Sequence, residues 1–549
     1  MQNPKQFKSE ERNLFVALIL IIFVLMGFQT FMRPKVENTV APEQTQVAEQ
    51  VVETKPVQVV QPTLPVVEKA LEQATFAVQN DFVSGKITAD GLTINDWTLT
   101  QYKETLAEDS PDVQLLSDKY GLDVYWTILG QKIPLILQEG ETLTPNTPLV
   151  FGAKSRDLTL KRTISLDDHY MLTFVDEISN TSAQAISATL QGQIYRSKDT
   201  ISEQRSVVHT GFVSMADNRL QENDYPTIDE ETISYQSKDT WLGLTDKYWQ
   251  TILIPQADEQ VKITNAFDND TFRASFEGNS LTLAPNQTIT RTTRIFAGAK
   301  DLNLVNDYMQ LYNIPKFELS IDFGWFYFLT KPFLYFLQWL NAFVGNMGIA
   351  ILLFATLLRL LLLPVATKSY VSMAQMKKIQ PQLQSIQQRY KDDRLRMQQE
   401  VMALYKREKV NPAGGCLPML IQIPVFFALY KVLSVSLQMR QAPFFWWIKD
   451  LSAPDSSSVF TLFGLIPWPI PNFLNLGVMP ILMGLTMYIQ QKMTPQTAGM
   501  DKAQMNMFKW MPVIFTFMMG QFAVGLIIYW TWSNILSIMQ QRYIMKKVK

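Results

Sequence analysis

Four apolar stretches, near residues 347–365, 417–438, 476–491 and 508–540, contain no Asp or Glu at all. Such segments must be buried in protein or in lipid, and in lipid a lone segment satisfies its own backbone N–H and C=O groups only as a helix. The last stretch is long enough for two crossings with a turn around Gly520 to Gly525. A further run without formal charge, the 19 residues from Leu14 to Met32, follows Lys5, Lys8 and Arg12. At ~1.5 Å per residue it reaches roughly 28 Å, the thickness of a hydrocarbon core. Its length and the lack of a small-x-small cleavage site favour an uncleaved signal anchor over a removed signal peptide. Six crossings are predicted.

The formal charge of -1 arises by cancellation: residues 1–32 carry +1, residues 33–320 carry -16 and residues 321–549 carry +14. Loop charge sets orientation, because inner loops are rich in Lys and Arg. Residues 366–416 hold ten basic and four acidic groups, and Lys492, Lys502, Lys509, Arg542, Lys546, Lys547 and Lys549 fall on the same side. Both termini are therefore expected inside and residues 33–320 outside. The 439–475 loop carries only Arg440 and Lys449 against Asp450 and Asp455. Pro467, Pro469 and Pro471 break the apolar run at 458–473, so it reads as an outer loop whose Trp446, Trp447 and Trp468 suit the membrane interface.

One cysteine, Cys416, excludes an intrachain disulfide and a Cys-based metal site. Both histidines, His169 and His209, lie in the acidic segment, which leaves the apolar part without an imidazole for acid–base or metal chemistry. Residues 33–65, rich in Pro, Gln, Val, Glu and Thr, read as an unfolded tether. From about Thr75 to residue 300, short Thr/Val/Ile/Tyr runs are broken by turn signals. Ile87 to Ile94 with Asp90-Gly91 in its middle is one such run, and Leu158 to Leu166 is another. These predict a large antiparallel β-sandwich, with a short helix around Leu302 to Tyr312. His169 beside Asp167 and Asp168, or His209 near Arg205, could form an acid–base pair; satisfied core or surface histidines are the commoner case.

Phe323 to Phe343 contains ten aromatic residues. Phe333, Phe336, Leu337, Leu340 and Val344 share one helical face, which predicts an interfacial helix along the outer leaflet rather than a seventh span. Arg359 stands alone among apolar neighbours, where a basic residue costs ~2.5 to 3.5 kcal/mol, so it either faces a wet cavity or snorkels to the inner surface. Uncharged polar groups follow in the other spans: Gln422, Thr486, Thr516, Thr531, Ser533 and Asn534. Singly each is ordinary helix-to-helix glue; together with Arg359 they could wet one groove. Met376, Ile379, Leu383, Ile386 and Tyr390 run at helical spacing, Lys391-Asp392-Asp393 turns the chain, and Met397, Val401 and Leu404 run back. This helical hairpin has a net charge of +6 over residues 366–416, either a solvated face or a docking arm.

The run Lys409-Val410-Asn411-Pro412-Ala413-Gly414-Gly415-Cys416-Leu417-Pro418, with Ile421-Gln422-Ile423-Pro424-Val425-Phe426, resembles the start of the third span of the YidC family of bacterial membrane protein insertases. Met402-Ala403-Leu404-Tyr405-Lys406, Arg440-Gln441-Ala442-Pro443-Phe444, Gln491-Lys492-Met493 and Met511-Pro512-Val513-Ile514-Phe515 extend the resemblance over nearly the whole chain. It implies the Gram-negative type, with a large periplasmic domain similar to sugar-mutarotase sandwiches but without that activity. By that resemblance Arg359 is the groove arginine and Gln422 a groove-lining amide. Tyr529 and Trp530 match an aromatic pair near the substrate path, with Thr531 beside them. Ala355 stands one turn before the arginine, where the resemblance would put a hydroxyl residue, and the 456–475 loop is longer than expected.

The expected architecture is a multi-domain membrane protein, an α-helical six-span bundle plus a large all-β periplasmic sandwich. Its parts are a signal anchor (1–32), a tether (33–65), the sandwich (66–320), the interfacial helix (321–346) and a five-span core (347–549) with its hairpin at 366–413. The expected function is non-enzymatic and cofactor-free: insertion and chaperoning of nascent hydrophobic segments in the inner membrane, alone or with the Sec translocon. Expected partners are nascent membrane proteins, the lipid bilayer, and ribosomes with signal-recognition machinery docking at Lys377, Lys378, Arg394 and Arg396. No sequence-specific nucleic-acid binding is expected. The competing readings are a channel or transporter, disfavoured by the lack of intramembrane carboxylates and repeats, and a membrane-anchored carbohydrate-binding protein.

Overall fold

The computed structural model describes residues 75–547 except 89, 91, 129, 155–156, 202–207, 392, 411–416, 462–464, 467–474 and 495–501. The signal anchor, the tether, Arg205, Cys416 and Trp468 lie outside the described residues.

Residues 75–299 form two stacked sheets, of twelve and nine strands among the described residues. Nearly every pairing is antiparallel; the edge pairing of Thr75–Gln79 with Thr142–Leu143 is parallel. In one sheet Ile186–Ser197 runs between Tyr120–Ile128 and Thr271–Gly278. In the other, Thr288–Ala299 runs between Met171–Asn180 and Trp249–Ile254. The turn read from Asp90-Gly91 joins Val83–Thr88 to Thr93–Lys103, with Ile87 opposite Ile94. The Asp90 carboxylate accepts from the Leu92 N–H at 3.1 Å and from the Thr88 hydroxyl, which fixes the bend.

Alternation along Leu158–Leu166 sends Leu158, Leu160, Ile164 and Leu166 into the core, and the same period carries Arg162 inward. Its guanidinium is fully buried and donates to both Asp176 carboxylate oxygens, at 2.7 and 2.8 Å. The Trp126 indole donates to the same carboxylate at 2.9 Å, and Arg162 also reaches the Val124 carbonyl, so the pair clamps one sheet to the other. Removing either partner alone would strand a buried charge.

A helix, α1 (Leu302–Leu311), follows; the Asp301 side chain caps it by accepting from the Asn303 and Leu304 N–H groups. Eight further helices follow it among the described residues. They are α2 (Tyr327–Val344), α3 (Met347–Leu361), α4 (Leu363–Arg389), α5 (Arg394–Arg407), α6 (Leu417–Val435), α7 (Val478–Met493), α8 (Lys502–Met519) and α9 (Val524–Lys547). Among the described residues no single helix is long and apolar enough to cross a membrane by itself. One bent pair, α3 with α4, meets that measure together across a 67° break. Pro364 stands in the first turn of α4; lacking an N–H and carrying a ring that would clash with the Leu360 carbonyl of a continuous helix, it favours the break.

The amphipathic face of α2 differs in detail from its spacing. Leu334, Leu337 and Leu340 are the buried leucines, Phe333 packs edge-on to Phe354, and Phe336 is partly exposed. Phe336, Trp339 and Phe343 form a stacked ladder on the outer side of the helix, with interplanar angles of 11° and 12°. Helices α4 and α5 fold back on each other around Tyr390 to Asp393, closing an apolar seam of Met376, Ile379, Leu383, Leu404, Tyr405 and Val410.

The sandwich is seated on the helical part through polar contacts. Arg440 donates to the Lys103 and Glu104 carbonyls and lies 5.3 Å over the Trp249 ring. Gln441 reaches Lys103 O at 3.0 Å, and Lys431 of α6 is paired with Asp322 at 2.5 Å.

Candidate functional site

Helix α3 ends at Leu361, so Arg359 lies in its last turn, where the partial negative charge of the helix end favours a cation. Its guanidinium is half-buried and turns toward α9, donating to Ser533 O at 2.9 Å, Ser533 Oγ at 3.1 Å and Ser537 Oγ. Ser533 and Ser537 are one turn apart on one face of α9, and the Ser537 hydroxyl also donates to Ser533 O at 2.7 Å. Thr356, next to Ala355, binds elsewhere: its hydroxyl accepts from the Trp532 indole at 2.9 Å and donates to Leu352 O at 2.8 Å.

Gln422 of α6 donates through Nε2 to the Tyr529 hydroxyl at 2.9 Å. Tyr529 and Ser533 are one turn apart, so Arg359, Gln422, Tyr529, Ser533 and Ser537 line one seam between α3, α6 and α9. Trp530 packs edge-on against Phe426 (4.6 Å) and Phe515 (5.8 Å), in an aromatic cluster of α6, α8 and α9. Thr531 is not brought into the seam. Two residues beyond Tyr529, at about 100° per residue, it faces the other side of α9, and its buried hydroxyl oxygen has no partner. That other side holds the Asn534 amide on the Thr486 hydroxyl at 3.1 Å. The hydroxyl of Thr516 folds back onto Pro512 O at 2.8 Å.

The described part of the 439–475 loop meets the start of α9. Leu451 and Ala453 carbonyls accept from the Gly525 and Val524 N–H groups at 3.0 and 2.8 Å, capping the start of α9. Asp455 is buried and accepts from the Trp447 indole, both Ser457 donors and the Met479 N–H, which ties the loop to α7. Trp446, by contrast, is 84% exposed.

The hairpin residues Lys377, Lys378 and Arg396 are exposed, with the Arg396 guanidinium 5.6 Å over the Tyr390 ring. The side chain of Arg394 lies outside the described residues. Two groups in the helical part escaped the sequence reading. Lys431, within an apolar run, pairs with Asp322; the basic residue was itself the signal. Ser537 was signalled by its four-residue spacing from Ser533.

The pairings predicted for the histidines are not seen among the described residues: the His169 ring lies against Phe82 rather than on Asp167 or Asp168, and Arg205 lies outside those residues. Asp167 accepts from the His169 backbone N–H at 2.9 Å while the His169 ring packs against Phe82 at a 35° tilt, 4.5 Å between centroids. His209 Nδ1 lies 3.3 Å from Asp224, Nε2 is 2.9 Å from Phe212 O, and the His209 backbone N–H donates to Asp322. Burial opposes protonation of His209, but Asp224 and the Glu222 charge outweigh it and raise its pKa. Burial would raise the Asp322 carboxyl as well, yet the Lys431 charge and hydrogen bond hold it low. Burial brings the Lys300 ammonium down to about 8 against the pull of Asp322, Asp246 and Glu222. These groups form a structural network at the seat of the sandwich. Among the described residues no cluster of three His, Cys, Asp or Glu side chains could hold a metal.

Residues 75–336 match the model of the YidC periplasmic domain, and residues 339–549 that of the 60Kd inner membrane protein. The chain is 40% identical over 572 residues to the membrane protein insertase YidC of Rhizobium meliloti, covering 98% of this chain and 96% of that protein. The chain belongs to the YidC family of membrane protein insertases. The YidC of Brucella suis is 43% identical over 487 residues, 84% of this chain and 79% of that protein. A solved YidC, an active insertase with its first transmembrane domain resolved, is 18% identical over 87% of this chain and 93% of that chain, with a TM-score of 0.37. As a YidC, the chain is an inner-membrane insertase with a periplasmic domain and not an enzyme.

Proposed function

We propose that the seam of Arg359, Gln422 and Tyr529, with Trp530 beside it, is the path along which the polar flank of a nascent segment enters the bilayer. The observation that carries this reading is the arginine's position. Its charge is held by neutral hydroxyls and a carbonyl rather than by a carboxylate, so an incoming acidic group meets a positive charge that no counter-ion of the seam neutralises. In this reading the loop that caps α9 through Leu451 and Ala453 shuts the path toward the periplasm, and the path opens toward cytoplasm and lipid.

The chain crosses the membrane six times in this reading, with both termini inside, α2 lying along the outer leaflet and the broken α3–α4 pair leading from a span into the hairpin. The basic residues of the hairpin, the exposed Lys377, Lys378 and Arg396 together with Arg394, receive ribosomes or the signal-recognition machinery. The insertase acts alone or beside the Sec translocon. Once the flank is across, the apolar segment moves sideways into lipid, gaining ~0.3 to 0.6 kcal/mol per apolar residue at the helix centre.

Photocrosslinkers at positions 422 and 530, probed with ribosome-stalled clients, test the path. Adducts to the flank and the following apolar segment support it. Adducts formed only from control crosslinkers at the exposed Leu357 and Leu360 positions would place the path elsewhere.

A further inference from the structure

Gln540 lies on α9 seven residues past Ser533 and eleven past Tyr529. At about 100° per residue both steps return it to within roughly 20° of those two side chains. It therefore continues the stripe that faces Arg359 and Gln422, roughly 10 Å further along α9 than Ser533 at ~1.5 Å per residue. Both amide atoms of Gln540, Nε2 and Oε1, are buried without a hydrogen-bond partner. The other polar groups of the stripe are met: Tyr529 by Gln422, Ser533 and Ser537 by Arg359. The adjoining Gln541 is met as well, at Met493 O, 3.3 Å away.

A buried amide left unmet is destabilising, and leucine or methionine would fill the same length without that penalty. The stripe thus keeps one neutral donor–acceptor pair unsatisfied at the end by which a flank would arrive. A primary amide offers both a donor and an acceptor, the complement of one main-chain peptide group. A peptide group leaving water for the bilayer needs such a partner.

We infer that Gln540 is a substrate-positioning residue that hydrogen-bonds the main chain of the incoming flank at the inner mouth of the groove, before the flank reaches Arg359. The inference rests on the groove reading above. It divides the labour along the stripe: Arg359 responds to the charge of the flank, whereas Gln540 responds to its backbone and is indifferent to its side chains.

The test uses the full-length protein in inner-membrane vesicles, with one client carrying an acidic flank and a second whose flank is neutralised. Gln540→Leu should slow both clients by the same factor, about three- to tenfold, the size of one or two net hydrogen bonds, and Gln540→Asn, which keeps the amide, should recover part of the rate. A photocrosslinker at position 540 should capture the flank of a stalled client. Wild-type rates for both clients in Gln540→Leu would overturn the inference, as would a loss confined to the acidic client. If Gln540→Leu fails to accumulate, the crosslinker decides: flank adducts at 540 support the inference. Adducts at 422 without adducts at 540 overturn it and leave the groove standing, while absence of adducts at both 422 and 530 overturns the groove reading itself.

Discussion

Replacing Arg359 separates a charge that attracts substrate from a charge that anchors a helix. In the folded protein Arg359→Ala removes the three contacts to Ser533 and Ser537; the Ser537 hydroxyl keeps its bond to Ser533 O, while the Ser533 hydroxyl loses the guanidinium from which it accepts. Hydrogen bonds to a charged group contribute ~1.5 to 3 kcal/mol each, so the two that the Nη2 protons can make give ~3 to 6 kcal/mol, against ~2.5 to 3.5 kcal/mol for holding the charge at membrane depth. The balance favours the arginine by at most a few kcal/mol, so the alanine variant should accumulate and melt somewhat below wild type.

Its effect on clients is separate. A carboxylate about 6 Å from the guanidinium gains ~2.8 kcal/mol at an effective dielectric constant of about 20, and only ~0.7 kcal/mol in bulk water. Arg359→Ala should therefore slow insertion of a client with an acidic flank by between about threefold and a hundredfold, and leave its neutralised counterpart within about twofold. Arg359→Lys should retain much of the activity, because a point charge suffices. The assay crosses three alleles at position 359 with the two clients at matched expression. Equal losses for both clients would refute charge attraction, and faster membrane integration of the alanine variant with no client effect would mark Arg359 as a snorkelling anchor.

The hairpin's basic face predicts that reversing charge at Lys377, Lys378, Arg394 and Arg396 weakens ribosome or targeting-receptor binding, more so at low salt; unchanged binding in sedimentation at every salt concentration would leave it a solvated face. At the seat of the sandwich, Lys431→Met leaves the Asp322 carboxylate buried and should lower stability by about 3 to 5 kcal/mol, more than the double replacement with Asp322→Leu; a thermal-shift cycle in detergent measures the coupling. His209 has a raised pKa when folded, so its contribution is fully present below the unfolded value of about 6.5 and is lost as pH rises through the folded value. The destabilisation caused by His209→Gln should therefore be greater near pH 6 than near pH 8.5 in thermal melts.

What the sequence revealed followed from period and charge. Alternation marked Leu158–Leu166 as a strand to the residue, and three- and four-residue spacing marked the hairpin seam, because both patterns reflect burial against a single neighbour. The face of α2 was read less well: Phe336 looks as apolar as Leu334, and only the packing of α3 decides that Leu334 goes in and Phe336 stays half out. The same limit governed the site. Arg359 was visible as a lone charge, and Gln422 as an amide in an apolar run, but their partners lie more than one hundred residues away in the chain. No spacing within a single helix tells Tyr529, which enters the seam, from Thr531, which turns away from it. The Lys431–Asp322 pair was hidden for a related reason, since Asp322 stands before α2 and its partner on α6 is 109 residues further along the chain.

A passive insertase is limited by what apolar burial can offset, and that limit is measurable. A segment of about 20 apolar residues gains ~6 to 12 kcal/mol on entering lipid, while each acidic residue carried through the hydrocarbon costs ~2.5 to 3.5 kcal/mol. A flank of about two to four acidic residues thus falls within reach, and the attraction of Arg359, up to ~2.8 kcal/mol for the nearest carboxylate, extends it by about one more. Insertion of a single client whose flank is lengthened from one to six acidic residues should hold nearly level and then fall steeply between about three and five. In Arg359→Ala the fall should come about one residue earlier. The measurement is protease protection of the flank in vesicles without nucleotide or membrane potential. A yield that stays flat to six residues would show that apolar burial is not the source of the driving force; a fall at the same length in both alleles would show that Arg359 takes no part in carrying the flank across.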